Sequence, residues 1–331
     1  MGIVKDILYS VANKNFLKAF KSQTIFPYYH IVKDSKATHI ENLYEYKNVA
    51  QFRNDINLLV KNYKPIEPQN LFNQQLTDNS FLLTFDDGLE EVYAVIFPIL
   101  KEKKIKAIFF INPDFVDNAQ SLYKHEISII ISHLKKSGFD SAKVGEICEI
   151  LGIDFTTTED FVRQLKKINF KERHKVGQIL QLLDIDMKQY LQTQKPYISK
   201  AQIQEMIDAG FYFGGHTMSH PPLELLTFEE QKSEIINSIQ WLKDNFGIQY
   251  SLFAFPFSDK GRPKKLIDAL FEYDKDLLVF GNSGLKKDID PRIIQRFSLE
   301  NPNKETAKQI VAENLYKRYN QLAGKYHIQR K

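Results

Sequence analysis

The sequence contains a single cysteine, Cys148, among its 331 residues. One cysteine cannot form an intrachain disulfide, so we expect stability to come from a packed core, as is usual in a reducing compartment. Glycine and proline are also scarce, at 14 and 12 residues, which excludes collagen-like and low-complexity chains. With 43% hydrophobic residues, a chain of this length can fill a large core. The composition therefore predicts a globular protein.

Long hydrophobic runs are absent as well. A membrane-spanning helix needs about 18 or more consecutive apolar residues, and polar or charged residues interrupt every stretch of that length. Lys5, Asp6 and Lys14 interrupt the segment where a secretory signal would stand. We therefore expect a cytoplasmic protein. The amphipathic pattern of residues 4–20 leaves peripheral attachment to a membrane surface open.

The sequence also lacks a block of charge of one sign. Its 45 Lys and Arg residues are interleaved with 41 Asp and Glu residues, for a net charge of +4. Nucleic-acid-binding proteins usually concentrate basic residues on one face or in one segment. We therefore expect no nucleic-acid partner, while the oligomeric state is left open.

Short β-rich runs alternate with helical patterns along most of the chain. The runs lie at residues 24–31, 81–85, 105–111, 211–215, 252–257, 277–282 and 293–297. Such alternation predicts parallel strands joined by crossover helices, as an open doubly wound sheet or a closed barrel. In both architectures, ligands bind at the carboxyl ends of the strands.

Residues 120–195 interrupt this alternation, because they carry several helical patterns and no convincing strand. We interpret residues 1–331 as a single domain, with helices at its termini and a helical insertion at 120–195. At the carboxyl end of the strands, the insertion would overhang a site there as a lid or as a stabilising cap.

Two of the predicted strands end in clusters of residues that a hydrophobic core would not select. One runs directly into Asp86 and Asp87, and another ends in His216 and His220. Two imidazoles and one carboxylate, with coordination positions left open, form the ligand set of a hydrolytic divalent metal. The sequence therefore predicts a metal site where these strand ends meet.

The order of three motifs resembles the polysaccharide deacetylase (NodB-homology) family of carbohydrate esterases. Residues 84–88, Thr-Phe-Asp-Asp-Gly, look like its first motif, and residues 216–220 fit its H-[S/T]-x-x-H motif at every fixed position. Residues 253–257, Phe-Ala-Phe-Pro-Phe, resemble the F-A-Y-P-[FY] form of the third. The resemblance extends from about residue 24 to residue 300, apart from the insertion.

This resemblance implies a distorted (β/α) barrel of seven or eight strands in a bacterial hydrolase. The expected reaction is metal-dependent hydrolysis of the N-acetyl or a similar N-acyl group of an amino sugar in a cell-surface glycan or its precursor. Asp87, His216 and His220 would bind one divalent ion, with zinc preferred and cobalt, nickel or iron as alternatives. Asp86 would be the general base, and a backbone N–H near Phe257 would help to hold the oxyanion.

The sequence departs from the family pattern at two places. Many members have an arginine in the third motif that orients the catalytic aspartate, and here Ala254 occupies that position. Arg296 could replace it, or could be a surface residue. The usual final Leu-x-His motif is also absent. In a circularly permuted subset of the family the corresponding histidine lies on the first strand, which makes His30 the candidate general acid, with a core histidine as the alternative.

Substrate contacts are expected from residues around these motifs. The candidates are Tyr29, Pro256, Phe257 and Arg296. Because aromatic side chains stack on sugar rings, Tyr29 and Phe257 would do so at the mouth of the site. Two alternative functions remain: a non-catalytic carbohydrate-binding protein that retains the fold, and a metal-dependent amidase acting on a non-sugar amide.

Overall fold

Parallel strands form the centre of the protein in the computed structural model, which describes residues 3–20, 23–73 and 75–330. The strands are β1 (Pro27–Tyr29), β2 (Lys64–Pro65), β3 (Ser80–Phe81), β4 (Leu83–Phe85), β5 (Ala107–Ile111), β6 (Tyr212–Gly215), β7 (Leu252–Ala254), β8 (Leu278–Gly281), β9 (Ile293–Gln295) and β10 (Phe297–Ser298). Eight of them form one sheet in the order β10-β1-β4-β5-β6-β7-β8-β9, with every pairing parallel. The short strands β2 and β3 pair separately.

The last two strands close the sheet into a barrel. Only Arg296 separates β9 from β10, yet β9 pairs with β8 and β10 pairs with β1. Residues 293–298 therefore act as one broken strand that joins both edges of the sheet. This arrangement confirms the distorted (β/α) barrel expected from the sequence.

Helices surround the barrel. They are α1 (Ile3–Val11), α2 (Val49–Asn62), α3 (Gln69–Phe72), α4 (Phe97–Lys103), α5 (Tyr123–Lys136), α6 (Ser141–Leu151), α7 (Thr158–Lys167), α8 (His174–Leu182), α9 (Met187–Gln194), α10 (Lys200–Asp208), α11 (Phe228–Phe246), α12 (Lys264–Tyr273) and α13 (Thr306–Leu322). Helices α2, α10 and α11 each begin with a capping box, which satisfies free backbone N–H groups of the first turn. No helix in the described part of the chain is both long and apolar enough to cross a membrane.

Strand alternation divides the core into two layers. On β5, Ile108 and Phe110 belong to the cluster that fills the barrel, whereas Phe109 packs in the layer beneath the helices. In that outer layer, the ring of Phe109 lies 5.0 Å from Phe85 and 5.5 Å from Phe213, measured between centroids. Both faces of the sheet are thus buried, as is usual for parallel strands.

Between β5 and β6 the chain contains helices α5–α10 and no strand, and α5–α9 lie within the insertion predicted at residues 120–195. These helices enclose a hydrophobic cluster of their own, which also includes Ile31, Ile40 and Leu89. Ile31 and Ile40 follow β1, and Leu89 follows β4, so the inserted helices rest on the carboxyl end of the barrel. Their role as a lid stays a prediction.

Candidate active site

Asp87, His216 and His220 come together at the carboxyl ends of β4 and β6. One potential ligand atom from each lies within 4.8 Å of the others. Nε2 of His216 is 3.4 Å and Nε2 of His220 is 3.2 Å from Oδ1 of Asp87. All three side chains are buried, so the predicted metal-binding residues form one compact cluster.

The hydrogen bonding of this cluster fits a bound cation. Oδ1 of Asp87 is buried and has no hydrogen-bond partner among the described residues. A buried carboxylate oxygen without a partner is costly, and a cation would satisfy it. Nδ1 of His216 lies 2.8 Å from the carbonyl oxygen of Ala254. Because a carbonyl only accepts, Nδ1 carries the proton and leaves the lone pair of Nε2 free to bind a metal.

The backbone at these strand ends adopts left-handed conformations that residues with a side chain rarely take. The φ angles are 73° at Asp87, 65° at Thr217, 55° at His220 and 54° at Phe257. Gly88 follows with φ of 63°, and a Cβ atom there would approach Cγ2 of Ile111 to 2.9 Å. Such strain gathers at functional sites, where it aims side chains that a regular strand would direct elsewhere.

Asp86 is held by Arg296 in a bidentate ion pair. Nη1 and Nη2 of the guanidinium donate to Oδ1 and Oδ2 of Asp86 at 2.7 and 2.9 Å. Arg296 is fully buried, which excludes the surface position considered from the sequence. Burial favours the neutral form of Asp86, but the Arg296 guanidinium outweighs burial and lowers the pKa of the carboxyl. Asp86 is therefore ionised at neutral pH.

His30 pairs with Glu300, a residue that the sequence did not single out. Nδ1 of His30 lies 2.7 Å from Oε2 of Glu300, and Oε1 accepts the backbone N–H groups of His30 and Ile31, each at 2.9 Å. Burial disfavours the imidazolium, but Glu300, assisted by Asp87 and Asp86, outweighs it and raises the pKa of His30 to about 10. The imidazole is therefore poised to hold a proton.

These groups line one cavity of about 450 Å³. Its walls include Asp86, Asp87, His216, His220 and His30 from the predicted set. The inserted helices complete the walls with side chains that the sequence did not indicate: Leu122, Lys124, His125 and Lys166. The cavity is thus shared between the barrel and the insertion.

The predicted substrate contacts are only partly found at this cavity. Phe257 lines it, with 51% of its surface exposed and its ring 4.6 Å from that of His220. The assignment of Tyr29 is wrong, because its side chain is fully buried and its hydroxyl donates to Asp55 at 2.9 Å. Strand alternation places the neighbouring Tyr28 at the cavity instead.

The other two predicted contacts, Arg296 and Pro256, do not line the cavity. Arg296 is fully buried and pairs with Asp86, and its side chain does not line the cavity. Pro256 is buried, while its neighbours Phe255 and Phe257 line the cavity. The sequence pattern led to this loop but could not resolve which of its side chains line the cavity.

Comparisons with known proteins agree with this geometry. The family model described as polysaccharide deacetylase matches residues 73–138 and 172–275, just over half of the chain. No curated protein sequence matches the chain significantly.

Solved structures share the fold at low sequence identity. The Streptococcus pyogenes deacetylase PplD in complex with acetate is 17% identical with a TM-score of 0.52, over 89% of this chain and 97% of that one. IcaB from Ammonifex degensii is 18% identical with a TM-score of 0.52, over 88% and 97% of the two chains. At these identities the likeness shows the fold alone. Because the family model covers half of the sequence, we conclude that the chain belongs to the polysaccharide deacetylase family and is a deacetylase of the hydrolase class.

Proposed function

We propose that this protein is a divalent-metal-dependent hydrolase that removes an N-acetyl or similar N-acyl group from an amino sugar in a cell-surface glycan or its precursor. One observation carries the proposal. Three groups line the same cavity: an Asp-His-His cluster in which Oδ1 of Asp87 has no hydrogen-bond partner among the described residues, a carboxylate held by arginine, and an imidazole held by glutamate. Amide hydrolysis requires these three elements: an electrophilic centre, a base and an acid.

Asp87, His216 and His220 would hold the ion. Such an ion would polarise the amide carbonyl and lower the pKa of a bound water. Two imidazoles and a carboxylate suit zinc, with cobalt, nickel and iron as alternatives. The Ala254 carbonyl holds the ring of His216 by accepting from Nδ1, which fixes the ring for this role.

Asp86 would act as the general base. Each carboxylate oxygen has two lone pairs, and Arg296 uses only one on each. The remaining lone pairs can accept the proton of the attacking water. Because the fork of Arg296 fixes both oxygens, Asp86 is oriented before the substrate arrives.

His30 would act as the general acid. The amine of an amide leaves readily only when it is protonated, and Glu300 keeps His30 in the charged form that can supply this proton. Glu300 engages Nδ1, so Nε2 is the nitrogen left to donate. His30 would supply the general acid, and Arg296 would supply the contact that orients the base. The usual motif positions for both are altered in this sequence. The presence of His30 and Arg296 favours an enzyme over a carbohydrate-binding protein without catalysis.

Metal content and acetate release test the proposal together. We expect purified wild type to contain about one divalent ion per chain and to release acetate from chitin oligosaccharides. His220→Ala should lose both, because it removes one of three ligands. His174→Ala, which alters an exposed histidine, is the matched control and should behave as wild type. Wild type that binds no metal after reconstitution would contradict the proposal. Assays on a panel of small non-sugar amides test the remaining alternative, a metal-dependent amidase that acts on a non-sugar amide.

Removal of the Glu300 charge should change the pH dependence of the reaction. Glu300 raises the pKa of His30, so the acid form persists to higher pH in wild type. Glu300→Gln keeps an oxygen for the backbone N–H groups but removes the charge. We therefore expect the alkaline limb of kcat to move to lower pH by about 1–3 units. The control is Glu305→Gln, which alters an exposed carboxylate nearby. If the alkaline limb of kcat does not move in Glu300→Gln, the pairing of Glu300 with His30 is excluded from catalysis.

A further inference from the structure

The inserted helices bring one side chain into the cavity whose chemistry the proposed reaction does not use. His125, on α5, lines the cavity and is only 2% exposed. Its ring packs against Tyr197, 5.7 Å away, and against His39, 5.4 Å away, between centroids. Neither the motifs nor the family match identify this histidine, so its role must come from its contacts.

The hydroxyl of Tyr197 engages one nitrogen of His125 and leaves the other for a ligand. The Tyr197 hydroxyl oxygen lies 2.9 Å from the backbone nitrogen of Leu122 and 2.7 Å from Nδ1 of His125. The backbone N–H can only donate, so the hydroxyl oxygen accepts there. The hydroxyl can direct its own proton to Nδ1 of His125, and the contact proposed below requires this arrangement. Nδ1 is then unprotonated and Nε2 carries the hydrogen.

His125 is also uncharged. Burial disfavours the imidazolium, and although Asp87 acts in the opposite direction, the pKa of His125 falls to about 4. At neutral pH the side chain therefore presents one neutral N–H group. An N–H of this kind recognises acceptor oxygens, such as a sugar hydroxyl or an acyl carbonyl.

The helix that carries His125 is firmly anchored. Nζ of Lys124, the preceding residue, donates to the carbonyl oxygens of Lys166 and Ile168 at 2.7 and 2.8 Å. These two carbonyls lie at the C-terminal end of α7, so the contact ties α5 to α7. The Leu122 N–H bond to Tyr197 fixes the first turn of α5 from the other side. The imidazole is thus preorganised before any ligand binds, which reduces the entropy lost on binding.

Because Tyr197 engages Nδ1 of His125, Nε2 is the nitrogen left for a ligand in the cavity that this residue lines. A largely buried donor gains free energy when a ligand supplies an acceptor. We propose that His125 donates a hydrogen bond through Nε2 to an oxygen of the bound amino sugar, so that the helical insertion forms part of the substrate site. The inference rests on the proposed function, since it assigns a specificity-determining contact to the same cavity.

Two substitutions of His125 test this contact. In His125→Phe the ring shape remains but the donor is lost, and we expect kcat/KM for penta-N-acetylchitopentaose to fall about tenfold, mainly through KM. In His125→Gln the side-chain amide can place an N–H near the position of Nε2, and kcat/KM should stay within about threefold of wild type. Metal content should be the same in both variants. His125→Phe also removes the contact of Nδ1 with the Tyr197 hydroxyl, so we expect a lower Tm for that variant and compare the kinetics well below it. His39→Phe, which alters the neighbouring buried imidazole outside the cavity wall, is the matched control.

A second readout does not depend on turnover. In ¹⁵N-histidine NMR spectra of the metal-loaded protein, His125 should appear as the neutral Nε2–H tautomer, and its Nε2 signal should shift when the chitopentaose is added. An Nδ1–H tautomer, an unshifted signal, or unchanged kcat/KM in His125→Phe would overturn the inference and leave the deacetylase proposal intact. Wild type without acetate release but with a shifted signal would contradict the proposed reaction while supporting the contact.

Discussion

Asp86→Asn is expected to reduce acetate release by about 10²–10⁴-fold while metal content stays at the wild-type level. The carboxamide cannot accept a proton from water, and a positioned general base contributes about this factor. Asp87, His216 and His220 are unchanged, so the cluster that would bind the ion is intact. The measurement is kcat on chitin oligosaccharides, with metal analysis and calorimetric binding of the same oligomer.

The binding measurement decides between an enzyme and a protein that only binds sugar. Asp86→Asn should still bind the oligosaccharide, since the cavity walls are otherwise preserved. Asp114→Asn is the matched control, because Asp114 is a half-buried carboxylate just beyond β5 that does not line the cavity. Wild-type turnover in Asp86→Asn would remove this residue from the mechanism.

Arg296→Met is expected to destabilise the fold by about 3–5 kcal/mol, the range observed when one partner of a buried ion pair is removed. Arg296 and Asp86 are both almost completely buried. In the variant, the negative charge of Asp86 is therefore left without its ion-pair partner and with almost no contact with water. Arg292→Met is the control. Its ion pair with Asp290 is partly exposed, and we expect a loss of about 1 kcal/mol or less there. Urea unfolding measures both changes.

The pH dependence of the stability difference between wild type and Arg296→Met distinguishes lost charge from lost packing as its cause. Arg296 lowers the pKa of Asp86 in the folded state, so the ion pair contributes stability above the unfolded pKa of aspartate and loses it as the pH falls. The gap between wild type and Arg296→Met should therefore be largest near neutral pH and should narrow in acid. A gap that is constant with pH, or equal to that of Arg292→Met, would mean that lost packing and not lost charge destabilises the variant. Arg296→Lys separates charge from geometry, because it keeps the charge and loses the fork.

The parts of the site that were predictable from the sequence are those encoded by contiguous residues. Asp86 and Asp87 directly follow a buried strand, and His216 and His220 are four residues apart, so a local pattern sufficed. The strand alternation was not readable at Tyr28 and Tyr29, because two adjacent aromatic residues give no indication of which one faces the core. The structure places Tyr29 in the core.

The partners of the site residues were less accessible to sequence reasoning. Glu300 lies 270 residues from His30 along the chain, and nothing around Glu300 marks it as functional. Arg296 could be named only as a candidate, since its contact with Asp86 depends on how the barrel closes. His125 occurs in an ordinary amphipathic helix, and its access to the cavity depends on where the insertion rests. Contacts of this kind follow from tertiary packing and leave no local signal.

The position of β10 near the end of the chain predicts when the site is completed during synthesis. On the ribosome, the metal-binding residues and both His30 and Asp86 emerge well before Arg296 and Glu300, which flank β10. Until β10 pairs with β1, we expect Asp86 to lack the Arg296 guanidinium and His30 to lack the Glu300 carboxylate. Pairing between such distant segments is slow because a long loop must close first. We therefore expect an unfinished or prematurely terminated chain to lack the activity proposed above, even if it captures a metal ion, and the proposed hydrolysis to begin only in a completed barrel.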